Sequence, residues 1–144
     1  MSPAFELRAF RGVVIAIAIA IALLVGGIAG FGGLEGMAIL FGAPLPERFD
    51  LGLRNHLRAI CVVFAGFGVL VVWSTFALEQ RRAAFRIAVA TIVLAGLARI
   101  IGWLVDGPGG LTAGTFMTME LVLFPLLLAW HARLIRLARQ RNAP

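Results

Sequence analysis

Residues 98–121, ARIIGWLVDGPGGLTAGTFMTMEL, place Arg99 and Glu120 inside two hydrophobic segments joined by a short Gly-rich connection. In that connection Asp106-Gly107-Pro108 predicts a turn, because proline cannot continue a helix and glycine accepts tight backbone conformations. Charged side chains within segments long enough to cross a membrane are rare, and they usually serve binding or transport. This stretch therefore predicts two neighbouring membrane helices that share a polar site.

The composition places the whole chain among the membrane proteins. Of its 144 residues 61% are hydrophobic and 14% are charged, and the mean hydropathy is +0.99, whereas an ordinary soluble domain is about 45–50% apolar. All thirteen basic residues are arginine, and the net charge is +6. Because these arginines cluster beside hydrophobic segments, they indicate membrane topology and not a nucleic-acid surface. The single cysteine, Cys61, excludes an intrachain disulfide and is expected to be a small buried residue.

Four hydrophobic segments predict four membrane helices, since about 20 apolar residues are needed to cross the hydrocarbon. We place them at about 12–31, 56–78, 87–105 and 116–136 of a single domain over 1–144, followed by a basic cytoplasmic tail at 137–144. Residues 32–54 are too short, and too interrupted by Pro44 and Pro46, to span again. The predicted fold class is therefore all-α: a four-helix transmembrane bundle with a short interfacial segment between spans one and two.

The N-terminal segment has the outline of a signal peptide, with Arg8 and Arg11 ahead of an apolar core. A cleaved signal ends in a small-x-small site followed by a polar mature start, and no such site is evident. We therefore expect residues 12–31 to be kept as the first span.

The distribution of arginines predicts the orientation of the spans. Nine arginines lie in the N-terminal lead, the loop between spans two and three, and the C-terminal tail: Arg8, Arg11, Arg81, Arg82, Arg86, Arg133, Arg136, Arg139 and Arg141. The other two loops hold Arg48 and Arg54 and more acidic residues. By the positive-inside rule, both termini are expected in the cytoplasm of a bacterial inner membrane.

This topology brings charged groups from three spans to nearly the same depth beneath the outer face. At a rise of about 1.5 Å per residue, Arg99 lies roughly 9 Å and Glu120 roughly 6 Å below the outer ends of their spans, with Arg58 just inside span two. Toward the mouth of the site we expect His56 and Glu35. The candidate ligand-binding residues are Asn55, Arg58, Arg99, Asp106 and Glu120.

Two readings of this cluster stay open. One acid, Glu120, facing Arg99 and Arg58 leaves spare donors, which favours an anionic group such as a lipid phosphate, a carboxylate or an acidic residue of a partner. Alternatively, Arg99 and Glu120 form a buried ion pair that only fixes helix register, and Arg58 extends outward to lipid headgroups.

Other positions carry expectations about helix packing. Small residues on span three predict a face that approaches another helix closely: Ala88, Thr91, Ala95, Ala98 and Gly102. Pro125 predicts a kink one turn after Glu120, because it lacks the amide that would bond the Leu121 carbonyl. His131 shares a helical face with Glu120, and we interpret it either as an interfacial histidine or as the extension of a proton path.

Short motifs along the chain carry a resemblance to a known family. They are Asn55-His56-Leu57-Arg58 at the start of span two, Arg99 in span three, Asp106-Gly107-Pro108 in the turn and Glu120-Leu121 opening span four. At these positions, and over residues 12 to about 133, the chain resembles an uncharacterised family of small bacterial four-span membrane proteins, a domain of unknown function that is DoxX-like in outline. The resemblance implies the four-span fold and these polar positions, and it brings no known activity.

Three classes of function compete. The leading hypothesis is binding of an anionic lipid headgroup or a small amphipathic ligand, with apolar grooves available for a tail. The second is an accessory or structural subunit of a larger membrane complex, or a homo-oligomer, because the chain has little mass outside the membrane. The third is a membrane-embedded enzyme acting on a lipid-like substrate with Glu120 or His56 as acid or base. The sequence contains no metal-ligand spacing and no phosphate loop, so neither a metal nor a cofactor is expected.

Overall fold

The computed structural model describes residues 3–42, 51–107 and 110–141, and within these ranges the chain is helical with no strand. The helices are α1 (Pro3–Ile21), α2 (Gly32–Phe41), α3 (Leu51–Thr75), α4 (Arg82–Asp106), α5 (Gly110–Thr118) and α6 (Phe124–Arg141). Two π-helical segments complete the set: the first π segment (Ala22–Phe31) joins α1 to α2, and the second π segment (Met119–Leu123) joins α5 to α6. Pro44, Pro46, Arg48, Pro108 and residues 142–144 of the predicted tail lie outside the described residues.

Four helices are long and apolar enough to cross a membrane. They comprise Ala4–Leu40, Asn55–Thr75, Arg82–Asp106 and Ala113–Gln140, with mean hydropathies of 2.8, 2.1, 2.1 and 1.6. Their outward faces carry many large hydrophobic side chains, as lipid contact requires. The predicted all-α fold of a multi-pass membrane protein is thus confirmed, and the four helices are consistent with a four-helix membrane bundle.

The chain divides into two compact units. The first unit comprises residues 1–15 and 70–144, and the second unit comprises residues 16–69. The assignment of residues 1–144 to one membrane domain stays a prediction.

Aromatic rings form the core of the first unit at the end that holds residue 10. The Phe10 ring lies 5.3 Å from that of Trp130 at an interplanar angle of 77°. The Phe85 ring stacks on His131, with centroids 4.2 Å apart and 13° between the planes. Phe10, Phe85 and His131 are fully buried, so these rings tie α1, α4 and α6 together.

The C-terminal end of α3 is capped by side chains. The hydroxyls of Ser74 and Thr75 donate to carbonyls three residues earlier, at 2.6 and 2.7 Å. Arg11 Nε donates to the Thr75 carbonyl at 3.0 Å, and Arg81 Nη1 donates to the Trp73 carbonyl at 2.8 Å. The Arg81 guanidinium also lies 3.9 Å from the centroid of the Trp73 ring. Carbonyls that a helix end normally leaves to water are therefore satisfied by the protein itself.

The second unit is held by close packing of the first π segment on α3. Gly26 is buried, and a Cβ there would lie 2.9 Å from that of Ala65. Gly30 is buried too, and a Cβ there would lie 3.5 Å from the Cβ of Cys61. Cys61 is a free, buried thiol, as predicted. The Gly26/Gly30 pair thus allows two segments of this chain to approach each other.

A sharp break lies at Gly33, the second residue of α2. Gly33 has φ +62° and ψ −136°, a conformation that strongly favours glycine. The Arg58 guanidinium occupies the space where a Cβ of Gly33 would project, with Nε and Nη2 each 2.9 Å away. Gly36 then packs against the Ile28 carbonyl, although eight residues of straight helix would separate the two by about 12 Å. The chain therefore bends back after residue 33, and the expected interfacial segment begins with the short helix α2.

The stripe of small residues predicted on α4 is not its buried face. The buried positions are Phe85, Ala88, Val89, Ile92 and Gly96. Ala98 is exposed, and nothing lies within 4 Å of a Cβ at Gly102. The prediction was wrong at Ala98 and Gly102, and of the two α4 glycines it is Gly96 that lies at a close approach to a neighbouring segment.

Candidate functional site

The site in the first unit is built on a direct ion pair between α4 and the second π segment. Arg99 Nε donates to Glu120 Oε2 at 2.8 Å. The Glu120 side chain is 7% exposed, whereas that of Arg99 is 37% exposed. The prediction that these two residues share a site is therefore confirmed, and the acid is enclosed while the base reaches the surface.

A glycine allows the two elements to come close enough for this pair. Gly96 lies one helical turn before Arg99 and is buried. A Cβ at this position would stand 2.8 Å from the Cβ of Glu120 and 2.9 Å from the Leu121 side chain. Both distances are below ordinary van der Waals contact, so only glycine fits without a shift.

Glu120 is a buried residue of the second π segment. The Phe124 amide donates to the Met119 carbonyl five residues earlier, a π-helical bond. Pro125 follows and has no amide to continue the α-helical ladder. The kink predicted at this proline stays a prediction, and the helix widens into a π turn at Glu120, a feature that often occurs at functional sites.

Arg99 keeps most of its hydrogen-bonding capacity. Of its five N–H groups, Nε–H is the one that donates to a side chain among the described residues. The guanidinium carbon also lies 5.8 Å from the centroid of the Phe116 ring, at the long end of a cation–π contact. The four Nη–H groups can therefore serve an anion that reaches the exposed side of Arg99.

An apolar groove of about 440 Å³ is lined by residues that lie near Arg99 and Glu120 in sequence. Its lining residues are Trp103, Gly114, Thr115, Met117, Thr118 and Met119. Trp103 stands one turn beyond Arg99 on α4, and Met119 immediately precedes Glu120. The groove is mainly apolar with two threonines, a lining that suits a hydrocarbon chain.

Of the other predicted site residues, Asp106 belongs to the first unit, whereas Asn55 and Arg58 belong to the second unit. Asp106 is the exposed last residue of α4, two turns beyond Arg99. Asn55 and Arg58 are exposed on the part of α3 that belongs to the second unit, where Arg58 covers Gly33. Their role as ligand-binding residues stays a prediction, as does that of Arg99 and Glu120.

The sequence interpretation underestimated the burial of His131. His131 is fully buried between aromatic rings. Neither ring nitrogen has a hydrogen-bond partner in the described part of the chain, although the Leu78 backbone comes near. Glu6 is also buried and pairs with Arg133 at 2.9 Å. The burial of His131 could have been found from its helical spacing with the other buried positions of the last span. These positions are Glu120, Phe124, Leu127, His131, Leu134 and Ile135.

The described residues hold no group of three His, Cys, Asp or Glu side chains that could bind a metal ion. The chemistry available at the Arg99–Glu120 pair is therefore that of a cation with spare donors beside an enclosed carboxylate. It suits recognition of an anion.

Comparison with protein families finds a match over most of the chain. A family model described as "Domain of unknown function (DUF4345)" matches residues 9–131. No curated protein and no solved structure matches the chain.

Proposed function

We propose a function from the Arg99–Glu120 site. The chain belongs to this family, whose model covers most of its length, and the description of the family names no function. The protein binds an anionic group at Arg99, as part of a lipid headgroup or of a small amphipathic ligand. The neighbouring groove takes the apolar part of that molecule.

One observation carries this proposal. Arg99 lies within a candidate membrane span, is bonded to a buried acid through one N–H group, and is still 37% exposed. An arginine that served helix register alone would be expected to bury its guanidinium and satisfy more of its donors. The groove lined by Trp103 and Met117, on the same elements as the pair, offers apolar contact for a hydrocarbon chain.

Native mass spectrometry tests the proposal. After purification in a mild detergent and addition of phosphatidylglycerol, the wild-type protein is expected to retain one anionic lipid or an endogenous ligand. The Arg99→Gln variant should lose it. Arg139→Gln is the matched control, because Arg139 forms an ion pair of the same length with Glu79 at an exposed site.

Equal retention by the Arg99→Gln and Arg139→Gln variants would contradict the proposal. A stoichiometric protein partner in place of the lipid would favour the accessory-subunit hypothesis. A bare protein with no added mass would contradict binding altogether.

We also propose that the protein resides in a bacterial inner membrane with both termini in the cytoplasm, in a topology that is DoxX-like in outline. This orientation is supported by the exposed arginines Arg8, Arg82, Arg86 and Arg136. They lie near the chain termini or near the turn after α3, which are the parts proposed to face the cytoplasm.

Cysteine labelling in intact cells tests the orientation. Gln80 lies in the turn just before α4 and Asp106 is the last residue of α4, and both are exposed. A membrane-impermeant maleimide is expected to label the Asp106→Cys variant and not the Gln80→Cys variant, while the buried Cys61 stays unlabelled in both. The reverse labelling pattern would overturn the proposed orientation.

A further inference from the structure

We infer that an anion binding to Arg99 is taken up together with one proton, which neutralises Glu120. This inference rests on the proposed function and adds a coupling to it. It makes the site a proton-coupled anion site, whose affinity depends on pH even for an anion that does not itself titrate.

An anion that binds at Arg99 changes the charge balance of the site. Arg99 and Glu120 form a one-to-one pair, joined by a single 2.8 Å hydrogen bond, and the acid is 5% exposed. An anion on the Nη groups of Arg99 would give one positive and two negative charges at a site whose acid is enclosed. Two acids that share a site in this way do not both stay ionised, and one of them holds a proton.

The described residues of the first unit offer no other cation near the pair. On α4 the nearest other charged residue toward the Gly107 end is Asp106, which is an acid. The described α5 segment, Gly110–Thr118, has no ionisable side chain, and the second π segment has Glu120 alone. On α6 the first ionisable residue is His131, three turns further along the helix. Among the described residues of the first unit, no second positive group stands beside Glu120 to balance an incoming anion.

The proton that is taken up binds to Glu120. A solvent proton adds to a carboxylate oxygen of Glu120, and the ion pair with Arg99 becomes a contact between a guanidinium and a neutral acid. The neutral acid keeps a donor and an acceptor, so it can donate to the incoming anion and is not left as an unsatisfied buried group. No other bond forms or breaks, and the net charge of the occupied site remains zero.

Isothermal titration calorimetry measures this uptake directly. The full chain in detergent is titrated with octanesulfonate, which stays fully ionised at neutral pH, in buffers with different protonation enthalpies. The heat from empty micelles is subtracted. The observed enthalpy is expected to vary linearly with the buffer enthalpy, with a slope of about one proton taken up per anion. The Kd should rise about tenfold per pH unit above neutrality, since one proton is bound with each anion.

Two variants locate the proton. Glu120→Gln is expected to bind octanesulfonate with no dependence on buffer or pH, because its side chain is already neutral. Glu79→Gln removes a carboxylate from an exposed ion pair of equal length and should leave the uptake unchanged. If Glu120→Gln fails to fold, the slope measured on the wild-type protein still decides whether a proton is taken up with the anion.

The outcomes separate the two proposals. Saturable binding by the wild-type protein with a slope of zero would overturn proton coupling while supporting anion binding. An unchanged slope in Glu120→Gln would overturn the assignment of the proton to Glu120. No saturable binding to the wild-type protein would contradict the proposed function on which the inference rests.

Discussion

Replacing Arg99 with alanine is expected to lower the free energy of unfolding by about 3 kcal/mol. The change leaves the buried Glu120 carboxylate without its counter-ion, and breaking a buried pair costs about 3–5 kcal/mol. The lower end applies because Arg99 is partly exposed and Glu120 can protonate. The measurement is thermal or denaturant unfolding of the purified protein in detergent.

Two comparisons make this result specific to the pair. The double variant Arg99→Ala/Glu120→Gln should regain most of the lost stability, since the orphaned charge is gone. Arg139→Ala breaks the exposed pair with Glu79, which is of the same length, and should cost less than about 1 kcal/mol. Similar losses in Arg99→Ala and Arg139→Ala would show that the burial of Glu120 does not matter.

The Gly96→Ala substitution is expected to destabilise the protein by about 2 kcal/mol and to weaken anion binding. An added methyl group would stand 2.8 Å from the Glu120 Cβ, and overpacking of this kind costs about 1–3 kcal/mol. The clash pushes the second π segment away from α4, so the carboxylate no longer meets Arg99. Unfolding in detergent and the octanesulfonate titration measure the two effects.

Gly102→Ala is the matched control on the same helix. Nothing lies within 4 Å of a Cβ there, so alanine gains its usual advantage over glycine in a helix, about 1 kcal/mol. The two alanine variants should therefore shift stability in opposite directions. A stabilised Gly96→Ala variant would contradict the close approach of α4 and the second π segment.

That Arg99 and Glu120 share a site could be predicted from the sequence because a charge in a membrane span must avoid lipid, although the sequence left open whether Glu120 pairs with Arg99 or Arg58. Each of these residues lies in a recognisable hydrophobic segment, and the rise per residue put them at similar depths. The argument used composition, length and one energetic rule. It needed no knowledge of which helix faces touch.

The contact surfaces could not be predicted in the same way. Gly96 and Gly102 are alike in sequence, and only the packing of large neighbours decides which one lies at the close approach. His131 stands beside a cluster of arginines in sequence, which suggested the interface, but the aromatic rings of Phe10 and Phe85 enclose it. The break at Gly33 likewise depends on the Arg58 guanidinium from another helix.

The π turn that carries Glu120 also constrains the length of the last span. A π turn is equivalent to one residue inserted into an α-helix. Deleting the exposed Val122 from within this turn would restore regular helix and rotate the preceding residues by about 100° relative to α6. The carboxylate of Glu120 would then leave α4 although no residue of the site had changed. Relatives that keep this site are thus expected to conserve the number of residues between Glu120 and Pro125, even where the residues themselves vary.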